Sequence, residues 1–172
     1  ESGTGKSTLL KLIPKFRETD GIYINDIPIS EIKNKDYLRK VSYYSQNTPI
    51  ITDTLYNNLN FGRKKVSKAI YEAMPFLAKF TNLDEMIVEN GANLSGGDKQ
   101  RIALSRYFTE DADIVILDEP TSSLDKETEE ELMKEILKDT KDKIVFIISH
   151  NKEIMKYCSH LVEIKNKTAT VL

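Results

Sequence analysis

The sequence predicts an α/β fold built on a parallel sheet, and two observations carry that expectation. Ile114 to Leu117 and Ile144 to Ile148 are continuous apolar runs of strand length, the pattern of strands covered on both faces. Between them, Lys126 to Leu137 reads as a helix. Leu132, Met133, Ile136 and Leu137 form its apolar stripe, and three adjacent glutamates near its start suit the helix dipole. Strand, helix and strand in this order make a right-handed βαβ crossover.

The remaining elements follow in order. Ser7 to Phe16 reads as a helix with Leu9, Leu10, Leu12 and Ile13 apolar, which Pro14 should end or bend. Ile22 to Ile24 is a short strand, Asn25-Asp26 a turn, and Ile27 to Ile29 the return. Val41 to Ser45 is a strand rich in β-branched and aromatic residues. Val66 to Phe80 and Asp98 to Phe108 have the spacing of amphipathic helices. The helical stretch from about Thr54 to Phe108 interrupts the α/β alternation and is expected to form a separate helical lobe. Tyr43, Tyr44 and Tyr56 read as packing or interface residues.

A chain of 172 residues holds one domain's worth of core, and 30% charged with 40% hydrophobic residues is an ordinary globular balance. The net charge is −2, and no basic run exceeds Arg63-Lys64-Lys65, which weighs against nucleic acid as a partner. Cys158 is alone, so no internal disulfide can form.

Three clusters carry chemistry. The opening reads ESGTGKST, Glu1 to Thr8. Gly3 and Gly5 let the backbone curl and aim N–H groups at phosphate oxygens. Lys6 supplies a point charge for nucleotide phosphates, the Ser7 hydroxyl can ligate Mg²⁺, and the helix that follows adds its dipole. Glu1 stands inside this loop pattern, whose preceding glycine and strand would lie upstream, so the sequence is expected to be a piece of a longer protein.

Asp118 emerges from the run Ile114 to Leu117 at the carboxyl edge of the sheet, where a carboxylate can hold Mg²⁺; Glu119 can orient and deprotonate an attacking water. His150 ends the other buried run at the same edge. Leu94-Ser95-Gly96-Gly97-Asp98-Lys99-Gln100 forms the third cluster: Ser95 can cap the next helix, and Gly96 and Gly97 clear that helix end for an anion.

Together ESGTGKST, LSGGDKQ and ILDEP resemble the nucleotide-binding domain of an ATP-binding cassette (ABC) transporter, from Glu1 to about Ile164. The resemblance implies a P-loop NTPase core with an inserted helical subdomain at about 54–108, lacking the N-terminal strands. It implies ATP and Mg²⁺ as cofactors, with Ser2, Gly3, Thr4, Gly5, Lys6, Ser7 and Thr8 cradling the phosphates. Ser7, Asp118 and Gln46 would serve the metal, and Gln46, Glu119 and His150 would serve catalysis. In the family, the Ser95-Gly96-Gly97 loop reaches across a dimer to the γ-phosphate of the partner's ATP. The commonest family loop continues with Gln where this chain has Asp98. Ser123-Leu124-Asp125 resembles the D-loop, which packs across that dimer.

Glu89-Asn90-Gly91 and the segment Thr52 to Leu59 are similar to exporter elements, the latter docking on membrane coupling helices. The implied partners are a second nucleotide-binding domain and a transmembrane domain, which exporters often carry fused upstream. The implied location is the cytoplasmic face of the cell membrane. The competing expectation is a soluble ABC ATPase of the translation or DNA-maintenance type.

Overall fold

A computed structural model gives the fold over residues 5–45, 48–62, 64–140, 142–165 and 168–172. Ser2, Gly3, Thr4 and Gln46 lie outside the described residues. In chain order the elements begin with α1 (Lys6–Leu10), the hairpin strands β1 (Tyr23–Ile24) and β2 (Ile27–Pro28), α2 (Asn34–Tyr37) and β3 (Val41–Tyr44). Next come β4 (Asp53–Thr54), α3 (Leu55–Leu59), α4 (Lys68–Glu72), β5 (Met86–Ile87) and α5 (Gly96–Ser105). The chain continues with β6 (Ile114–Asp118), α6 (Lys126–Asp139) and β7 (Ile144–Ile148), and closes on the hairpin β8 (Val162–Lys165) and β9 (Thr168–Val171).

Two compact units result. One comprises Glu1–Tyr43, Asp111–Glu119 and Asp142–Leu172; the other comprises Tyr44–Glu110 and Pro120–Lys141. The first is built on a three-stranded sheet in the order β3-β6-β7. Strands β6 and β7 run parallel, with Ile114 opposite Ile144 and Asp118 opposite Ile148, as the crossover pattern predicts. The β1–β2 hairpin turns on Asn25 and Asp26, both left-handed at φ +48 and +65. Asn and Asp are the side-chain-bearing residues that best tolerate that backbone.

Four sequence expectations are corrected. The helix read over Ser7 to Phe16 stops after Leu10, and Leu12, Ile13 and Lys15 donate three residues back, to Leu9, Leu10 and Leu12. Pro14 has no N–H with which to continue the ladder. The helix read over Val66 to Phe80 is only α4 followed by a 3₁₀ turn at Pro75–Leu77. Pro75 again removes a donor, and it opens the new turn with its preset φ. The helix read from Asp98 starts two residues earlier and gives way to a 3₁₀ turn at Tyr107–Thr109. Finally, β6 is buried throughout its last four residues, but β7 is not buried on both faces: Ile144 is 59% exposed and Phe146 37%. A continuous apolar run reports total hydrophobicity, and only the tertiary neighbours decide whether a second face is covered.

In the second unit, Leu132, Met133 and Ile136 of α6 are fully buried while Leu137 is exposed, so the stripe is narrower than its spelling. Buried Arg106 donates to the carbonyls of Asn58 at 2.8 Å and Pro49 at 3.0 Å. Asn58, itself buried, accepts from Ile51 N and donates to Ile51 O, both at 2.9 Å. These bonds fasten residues 49–58 to the end of α5. Buried polar groups gain by such pairing.

Candidate functional site

In the first unit, α1 and the sheet strands gather side chains that lie far apart in sequence. Gly5 has φ +94, and among the described residues nothing stands within 4 Å of where a Cβ would be. The chain therefore turns through left-handed backbone and enters α1 at once. That turn sets Ser7 where its hydroxyl donates to Asp118 Oδ1 at 3.1 Å. Asp118 is the last residue of β6 and only 8% exposed. Its other oxygen accepts the Tyr43 hydroxyl at 3.0 Å.

Tyr43 is thus more than the packing residue the sequence suggested. Strand alternation held the signal: Ser42 and Tyr44 are buried on one face of β3, leaving Tyr43 on the other. Burial, the Asp118 charge and their hydrogen bond all push the Tyr43 pKa up, so the hydroxyl remains a donor. Lys6 is half-buried and Thr8 exposed on the same short helix.

Glu119 has φ +53, uncommon for a residue with a side chain. Its N–H donates to Ile148 O at 2.9 Å, tying the bend after β6 to the end of β7. His150 Nε2 lies 3.5 Å from Glu119 Oε1, with the glutamate side chain mostly buried and the imidazole mostly exposed. Asp118, Glu119 and His150 therefore meet at the carboxyl ends of two parallel strands. Open α/β sheets bind their ligands at this edge.

The second unit holds the other cluster. Ser95 Oγ accepts the Asp98 N–H at 3.2 Å, and Asp98 Oδ2 accepts the Ser95 N–H at 3.2 Å, a complete capping box on α5. The first N–H groups of a helix lack intrahelical acceptors, and this box uses neither that of Gly96 nor that of Gly97. Burial works to raise the Asp98 pKa, but the hydrogen bonds from Lys79 and Ser95 and the Lys79 charge outweigh it. The carboxyl is held below its usual range.

α5 also grips the segment after Glu119, which sequence reasoning missed. Gln100, buried, donates to Ser122 Oγ at 3.2 Å and accepts the Ser123 N–H at 2.9 Å. Arg101 donates to Thr128 Oγ1 and lies 3.5 Å from Asp125 Oδ2, while Asp125 caps α6 through the Thr128 N–H at 3.0 Å. A polar pair inside an apolar helical pattern was the available signal. The stretches read as exporter elements also come together. β4 pairs antiparallel with β5, and Asn90 N donates to Thr52 Oγ1 at 3.1 Å. Glu89, Asn90 and Gly91 turn in three successive left-handed residues, φ +46, +55 and +86.

The donor set at Asp118 fits a magnesium ion. A hydroxyl and a carboxylate oxygen are hard ligands, and Mg²⁺ commonly takes one or two protein oxygens and completes its shell with phosphate and water. No cluster of three or more His, Cys, Asp or Glu among the described residues would cage a metal by itself.

A hydroxyl at the head of a glycine turn, hydrogen-bonded to a strand-end aspartate, is the arrangement of P-loop nucleotide hydrolases, and the fold and site define that class. Comparison narrows it. The ABC transporter family matches residues 1–122. The chain is 37% identical over 166 residues to an ATP-dependent lipid A-core flippase of Wigglesworthia glossinidia brevipalpis, covering 90% of the chain and 29% of the relative. It is 33% identical over 178 residues to a probable ABC transporter ATP-binding/permease protein of Haemophilus influenzae, covering 96% and 32%. Its fold is similar to that of a bacterial Atm1-family ABC exporter with ATP bound, with TM-score 0.87 and 25% identity over 97% of the chain and 31% of the exporter. The chain belongs to the ABC transporter family. It spans about three-tenths of the length of these relatives, and matches the ATP-binding domain of exporters. Members are ATP-hydrolysing transporters, and the comparisons support an exporter's domain over a soluble ATPase.

Proposed function

We propose that this chain binds and hydrolyses ATP to drive a membrane exporter, with each ATP held between two copies of the domain facing head to tail. The Ser7–Asp118 pair beside Glu119 carries this reading, because it aligns a phosphate loop with a strand-end carboxylate and a base. Residues Ser2 to Thr8 cradle the phosphates, with Lys6 placing its charge on the β and γ groups. Ser7, Asp118 and Gln46 would hold Mg²⁺, which supplies positive charge to the phosphate oxygens. Tyr43 fixes the Asp118 carboxylate from behind. Glu119 orients the attacking water and accepts its proton. His150, 3.5 Å away, steadies that carboxylate and reaches the γ-phosphate. Ser95, Gly96 and Gly97 close on the γ-phosphate from the second subunit.

The helical subdomain of about 54–108 carries that loop and the segment Thr52 to Leu59, which docks on a transmembrane domain, fused upstream. In this reading the domain works on the cytoplasmic face of the membrane. The transported substrate is selected by the membrane domain.

The test is Glu119→Gln in the full-length protein. Nucleotide binding should persist while turnover falls by roughly 10²–10⁴, the worth of a positioned general base. Turnover within a few-fold of wild type would show that Glu119 is not the base.

A further inference from the structure

We propose that Lys79 is a charge-compensating, positioning residue of the Ser95-Gly96-Gly97 loop, keeping the N-terminus of α5 receptive to an anion despite the carboxylate of Asp98. This rests on the reading that the loop receives a phosphate held by a second subunit.

A helix N-terminus carries about half a positive charge, which is what makes it attractive to phosphate. Asp98 sets a full negative charge beside it. Its carboxylate is one hydrogen bond from Ser95, and its side chain is only 13% exposed, so water screens it poorly. An arriving phosphate would meet two opposed fields at short range. Lys79 removes the conflict: its ammonium ion pairs with Asp98 Oδ1, the oxygen that Ser95 N–H leaves free. The carboxylate keeps its capping role while its charge is cancelled.

The neighbouring cation Arg101 is engaged by Thr128 and Asp125. The Lys99 chain runs past Gly91, where its Cε would lie 2.9 Å from a Cβ. Among the described residues, Lys79 is the cation bonded to Asp98. Its side chain is 48% exposed, and half-exposed pairs contribute little to folding. Its removal should therefore show in nucleotide response more than in stability.

The experiment uses the full-length protein and its MgATP dependence of turnover, with thermal unfolding of each variant as a folding control. Lys79→Met should raise the KM for ATP roughly tenfold, and Lys79→Glu should raise it further, since reversing a charge adds to the repulsion that neutralising it exposes. Both effects should shrink at high salt. Lys79→Met combined with Asp98→Asn should bring KM back to within about threefold of wild type, because asparagine retains an oxygen for the Ser95 N–H and carries no charge. A bolt that merely holds the loop would give equal losses for Met and Glu and no rescue, and that result overturns the proposal. Ser95→Arg separates the two readings. If it abolishes turnover while Lys79→Met matches wild type, only the role of Lys79 falls. If Ser95→Arg leaves turnover intact, the phosphate reading falls and this inference falls with it.

Discussion

Gly96 and Gly97 stand side by side at the start of α5, yet the structure predicts opposite responses to a single methyl group. Alanine is the better helix former by up to about 1 kcal/mol, less at a frayed terminus, so each substitution starts with a gain of roughly 0.5 kcal/mol. At Gly96 the new Cβ would meet Ser123 Cβ at 3.6 Å and Oγ at 3.7 Å, ordinary contact. At Gly97 it would meet the Ser123 carbonyl oxygen at 3.0 Å and Leu124 Cδ2 at 3.6 Å. That oxygen is backbone, and the adjacent N–H of Ser123 is already held by Gln100, so the segment has little room to yield. Overpacking of this kind costs about 1–3 kcal/mol. The two variants should therefore differ by roughly 1–3 kcal/mol, with Gly96→Ala neutral or slightly stabilising and Gly97→Ala destabilising. For a domain of this size that is about 2–4 °C in Tm per kcal/mol. The assay is thermal unfolding without nucleotide, so that phosphate contacts do not enter. Equal Tm values, or a lower one for Gly96→Ala, would refute the close approach of residues 123–124 to α5.

Gln100→Met keeps the volume but removes both bonds to Ser122 and Ser123. Those serines are exposed and can rehydrate, but the buried Tyr44 hydroxyl also bonds Gln100 and would lose that partner, so the stability loss should be about 1–3 kcal/mol. ATP turnover of the full-length protein should fall by more than tenfold, because the segment following Glu119 loses its anchor and small displacements cost heavily in rate; unchanged kcat would rule out a positioning role. Acid stability offers a separate check. Asp98 has a folded pKa below its ordinary 3.8, so the unfolded chain binds that proton more tightly. Its contribution is present above about pH 3.8 and lost as pH falls through the folded value. Asp98→Asn should flatten Tm against pH in that acid range, and parallel profiles would show that the carboxylate is not held as described.

Local chemistry was legible in the chain itself. Apolar runs and an intervening stripe specified β6, α6 and β7, because periodicity and strand propensity act within a few residues. The Asn25-Asp26 turn and the Ser95 cap were legible for the same reason: backbone sterics and nearest N–H groups decide them. Asp118, Glu119 and His150 could be placed at one sheet edge because parallel strands put their carboxyl ends together. What the sequence left open were partners chosen over long separations. Tyr43 reaches Asp118 across 75 positions, Gln100 holds a loop 23 positions away, and Lys79 meets Asp98 across 19. No local pattern encodes such distances; they exist only once the strands and helices have packed. The helix breaks at Pro14 and Pro75 lie between these cases. Both prolines were visible, but whether each would bend its helix or end it depended on the packing that followed. Sequence alone thus determined the βαβ elements and the local turns and caps, whereas tertiary packing decided where the helices end and which distant side chains hold Asp118 and the segment after Glu119 in place.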